Sequence, residues 1–62
     1  MTFRIRGYWI SPVLERTNIL NLTREFQDLG ELLTELIRLR GEGYQGLSST
    51  YEDTGHTAIK VQ

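Results

Sequence analysis

The sequence predicts a small α+β fold, an antiparallel β-sheet with one amphipathic α-helix packed on one face. Three observations predict it. The stretch Asp28–Gly41 has the spacing of a capped helix with one apolar stripe, the flanking segments alternate apolar and polar residues as strands do, and turn chemistry separates them. The expected order is ββαββ over a single domain spanning residues 1–62. A βαββ order with a longer helix is the alternative.

The helix is the most strongly specified element. Asp28 precedes Glu31 by three residues, the capping-box spacing, with a carboxylate in place of the usual hydroxyl. Leu29, Leu32, Leu33, Leu36 and Ile37 then recur as one buried face. Arg38 and Arg40 stand in the last turn, where cations suit the helix dipole, and Gly41 is the expected residue of positive φ beyond the end.

Thr2–Ile10 reads as the first strand. Phe3, Ile5 and Trp9 fall on the core face, and Arg4, Arg6, Tyr8 and Ile10 on the other. Gly7 marks a bulge or a close approach of another backbone, and Ser11-Pro12 ends the strand. Val13–Thr17 is a connection with solvated Glu15 and Arg16. Asn18–Phe26 decides the order of elements. As a strand it places Leu20, Leu22 and Phe26 inward; as a helix it extends the leucine stripe. The cap at Asp28 and the Asn and Thr residues at 17, 18, 21 and 23 favour the strand. After a Gly41–Gly43 turn, Tyr44–Glu52 alternates, with Leu47 and Tyr51 inward and Tyr44, Ser48 and Thr50 outward. Glu52–Gly55 is a hairpin turn, and His56–Val61 closes the sheet with Ile59 and Val61 inward and His56, Ala58 and Lys60 outward.

Composition limits function. A chain of 62 residues buries a modest share of its surface, so a partner or a second copy is the natural extra source of burial. It contains no cysteine and one histidine, which excludes disulfides and makes a structural metal unexpected; no cofactor is expected. Seven basic and eight acidic residues give no net-charge footprint for nucleic acid. No apolar run approaches the roughly 20 residues of a membrane span, and the N-terminus lacks a signal-peptide core, so a cytoplasmic location is expected.

One helix covers one side of a sheet, so the other face is the candidate site. It would carry Arg4, Arg6, Tyr8, Ile10, Tyr44, Ser48, Thr50, His56 and Lys60. Arginine forks can hold an anion, tyrosine rings can stack, and the same residue types anchor protein interfaces. Asp53-Thr54-Gly55 matches the catalytic triplet of retroviral-type aspartic proteases, but the same residues are those a hairpin turn requires. His56 lacks a nucleophile motif beside it, and Glu31 and Glu35 lie at solvent-facing helix positions. The expected function is therefore non-catalytic: a homo-oligomeric protein that binds and modulates or inhibits a larger protein, as small phage-type inhibitors of host enzymes or defence systems do. A nucleotide-signal binder with its site between subunits on the Arg/Tyr face is the alternative, and a nucleic-acid-binding regulator a second.

Overall fold

Four strands pair in one antiparallel sheet in the computed structural model, which describes residues 1–61. The elements are β1 (Thr2–Ser11), β2 (Arg16–Glu25), α1 (Leu29–Gly41), β3 (Gln45–Tyr51) and β4 (Thr57–Val61), and the sheet order is β2-β1-β3-β4. The ββαββ order is thus the one adopted. Residues 18–25 are strand, paired in unbroken register with β1 from Thr2↔Glu25 to Ser11↔Arg16. Pro12–Glu15 closes this hairpin, with Glu15 at φ 50°.

The hairpin is longer than the rest of the sheet. β3 pairs with β1 only as far as Tyr8↔Gln45, so the last residues of β1 and the first of β2 project as an arm, and the molecule measures 37 × 20 × 16 Å. Gly7 lies where the β1–β3 register shifts. A Cβ there would meet Leu47 Cδ2 at 2.8 Å and the Gln45 carbonyl at 3.1 Å, which is the close approach its position predicts.

The helix begins as expected. The Asp28 carboxylate accepts the Glu31 backbone N–H at 2.9 Å, and Glu31 reaches back to the Gln27 N–H at 3.0 Å. Its end lies two residues later than expected. Gly41 is still helical, Glu42 is the C-cap, and Gly43 takes the positive φ of 109°. The Gly43 N–H bonds the Arg40 carbonyl and the Tyr44 N–H bonds the Leu39 carbonyl, the pair of bonds that closes a Schellman motif.

The core is Phe3 and Ile5 from β1, Leu47 from β3, and Leu32, Leu36 and Leu39 from α1. Leu20, Leu22, Phe26, Tyr51, Ile59 and Val61 pack around it, as expected. The helix face differs from the expected stripe. Leu29, Leu33 and Ile37 are 42%, 41% and 56% exposed, whereas Leu39 is buried. At 100° per residue the apolar sector from Leu39 round to Ile37 spans roughly 160°, wider than one sheet contact covers. Trp9, expected in the core, lies at its margin at 38% exposure, because β1 has there run past the helix; its ring covers Gly43.

A candidate ligand cleft and the open sheet face

Strand register determines which of the expected site residues meet. On the open face Arg4 stands between Thr23 and Thr50, and Arg6 between Asn21 and Ser48, with Lys60 beyond Ser48 on β4. Tyr8 lies between Ile19 and Gln45, and Ile10 opposite Thr17. Arg4, Arg6, Tyr8, Ile10, Ser48, Thr50 and Lys60 therefore share this face.

Tyr44 and His56 do not. Tyr44 is the residue after the helix-closing Gly43, and its ring packs onto the core cluster that includes Leu39, the hydrophobic contact that accompanies a Schellman motif. Its expected outward position is corrected on that ground. His56 and Ala58 are displaced by a bulge. Ile59 opposes Ser49, but Thr57 opposes Thr50, so one extra residue on β4 changes the alternation. Thr57, rather than His56, stands beside Thr50, and Ala58 packs against the core. Ser49 holds the bulge from the buried side, accepting the Ile59 N–H at 3.1 Å and donating to the Ile59 carbonyl at 3.0 Å.

The face is also less basic than its arginines suggest. Arg4 forks onto Glu52, Nε to Oε2 and Nη2 to Oε1, both at 3.1 Å. These hydrogen bonds hold the Glu52 carboxyl below its ordinary value of 4.5 and hold Arg4 further in its charged form. A carboxyl lowered in the folded state stabilises above its unfolded value, and the contribution is lost as pH falls through the folded one. Arg4→Ala is therefore expected to lower the urea midpoint at pH 7, with the difference from the parent shrinking below pH 4. An equal difference at both pH values would show that the pair does not act through Glu52 ionisation.

Glu35 is also less free than expected. Its side chain is 15% exposed and receives Arg24 at 3.3 Å and Arg38 at 2.5 Å, while Arg38 also pairs with Glu42. These ions tie α1 to β2. Among the described residues no group of three or more His, Cys, Asp or Glu side chains is placed to hold a metal, and no helix is long and apolar enough to cross a membrane.

Tyr8 and Tyr44 meet elsewhere. Beyond the start of β3, at the C-terminal end of α1, they line an open cleft of about 670 Å³ with Arg40, Gly43, Gln45 and Gly46. Gly46 has φ 59°, and a Cβ there would lie 2.7 Å from the Tyr8 ring, so the glycine lets the ring approach the backbone closely. Arg40 makes no ion pair among the described residues. Sequence reading assigned Arg40 to the helix dipole and missed its place here; its spacing of four from Tyr44 across a helix-ending glycine was the available signal.

No family model, curated protein or solved structure matches the chain.

Proposed function

We propose that the protein is a non-catalytic interaction protein that self-associates and docks on a larger protein partner, modulating or inhibiting it in the manner of small phage-type inhibitors. One observation carries this reading. Nine large apolar side chains are exposed among the described residues against six in the buried core, and most of them gather in two places. Ile10, Val13, Leu14 and Ile19 cluster on the projecting arm at 49%, 86%, 66% and 75% exposure, and Leu29, Leu33 and Ile37 line the helix. Contiguous exposed apolar surface on a small domain marks contact with other macromolecules. The arm extends past the core, so it can enter a partner's groove without disturbing the fold.

Native mass spectrometry on gently purified full-length protein tests the reading. An oligomer is expected, together with a retained protein partner that is lost in the Val13→Asp, Leu14→Asp double variant. A monomer retaining no other protein overturns it.

The Tyr8–Tyr44–Arg40 cleft favours a second reading as a nucleotide-signal binder, with the rings stacking a base and Arg40 receiving phosphate. In the same spectra this reading requires an added mass of a few hundred daltons that disappears in Arg40→Ala.

A further inference from the structure

We infer that two copies of this chain pair through the open edge of β4 and the Leu29–Leu33–Ile37 flank of α1, strand against strand in antiparallel register with the two helices side by side. The inference rests on the self-association proposed above and names the surface that performs it.

The two edges of the sheet are built differently. Glu35 reaches Arg24 on β2, so the flank of α1 carrying Glu31, Glu35 and Arg38 faces the β2 edge. Charges beside an edge discourage another strand from adding to it. Helical geometry turns the opposite flank toward β4, and there stand Leu29, Leu33 and Ile37, spaced four apart and 41–56% exposed. The β4 edge thus combines unpaired backbone groups with an apolar shelf above them.

Spacing favours a second copy as the occupant. The helix backbone lies nearest β3 and β4, while its leucines reach Phe3 and Ile5 of β1. With strands about 4.8 Å apart, a two-fold axis normal to the sheet and just outside β4 sets the two helix axes at about 10 Å, the upper end of normal helix packing. Antiparallel helices centred on Leu33 place Leu29 against the partner's Ile37. They also bring the basic last turn, whose Arg40 makes no ion pair among the described residues, toward the carboxylate of the partner's Asp28. A two-fold axis requires a self-complementary patch, and this patch is one. On the strand, a register centred on Ile59 sets Lys60 against the partner's Ala58, whereas centring on Lys60 would oppose two ammonium groups.

The chain has no cysteine, so a single introduced one reports unambiguously. Full-length Leu33→Cys is expected to form a covalent dimer on mild oxidation or with a short bis-maleimide, while Asn21→Cys on the open face stays a single chain. Leu33→Glu, at a solvent-exposed position, is expected to keep the parent's circular dichroism and to fall from the mass of two chains to one by sedimentation equilibrium. If the parent self-associates but Leu33→Cys does not crosslink, or Leu33→Glu remains dimeric, this interface is wrong and self-association occurs elsewhere. A parent that stays monomeric at high concentration overturns both the interface and the self-association behind it.

Discussion

Phe3→Ala is expected to remove a third or more of the stability of the fold. Phe3 is fully buried, with its ring centroid 5.1 Å from Tyr51 and 6.2 Å from Phe26. It joins β1, the end of β2 and the end of β3 at one point, beneath the start of the helix. Truncating a buried phenylalanine costs about 3–5 kcal/mol, because contacts are lost and the cavity closes only in part. At roughly 0.05–0.15 kcal/mol per residue, a chain this short has a total stability of about 3–9 kcal/mol. The substitution therefore removes about a third of it at the least, and all of it if the total lies at the low end. Urea titration followed by circular dichroism and by the fluorescence of Trp9, the chain's one tryptophan, reads the loss. Coincident transitions shifted by less than about 1 kcal/mol would show that the Phe3 pocket is not the centre of the fold.

The same substitution made two residues apart is expected to act with opposite sign. Gly43→Ala forces a side chain onto a backbone at φ 109°, and its Cβ would stand 3.2 Å from the Trp9 ring. Strain of that kind costs about 1–3 kcal/mol, and here it also opens the hydrogen bonds that end the helix. Gly41→Ala lies in the last helical turn with nothing within 4 Å of the added Cβ, so it is expected to stabilise by about 0.5–1 kcal/mol. Urea midpoints of the two variants, measured together, decide it. A neutral Gly43→Ala would mean that the helix ends at Gly41 after all.

That pair of glycines also illustrates what was legible in the sequence. Glycine as a helix terminator was readable; which of two glycines serves was not, because the choice depends on Tyr44 finding the core. The strand at 18–25 could be read because its polar residues suit an edge strand and the cap at Asp28 bars a longer helix. The β4 bulge could not, since Ala58 is an ordinary strand residue and the Ser49 hydroxyl bonds that flank the bulge form only across the assembled ladder. Seven of the nine face residues followed from alternation alone, and the bulge and the helix closure removed His56 and Tyr44. Arg4 was readable as a face residue but not as half of an ion pair, because Glu52 lies 48 positions away and reaches it only once β3 is in place. The helix rotation was hidden because a sheet contact fixes which part of a broad apolar sector is used, and the sector was all that periodicity revealed.

The sheet order has a consequence for how the chain reaches this structure. β1 and β2 join through a turn of only a few residues, so the hairpin can close early from contacts near in sequence. β3 must travel much farther, since Phe3 opposes Tyr51, whereas β4 is joined to β3 by a turn of five residues and can pair with it locally. Closing that long loop costs entropy before any core contact compensates for it. The capture of β3 against β1 is therefore the step expected to set the folding speed. Substitutions at Ile5, Leu47 and Ser49 are therefore expected to slow refolding in stopped-flow measurements, and those at the arm tip to leave the rate nearly unchanged.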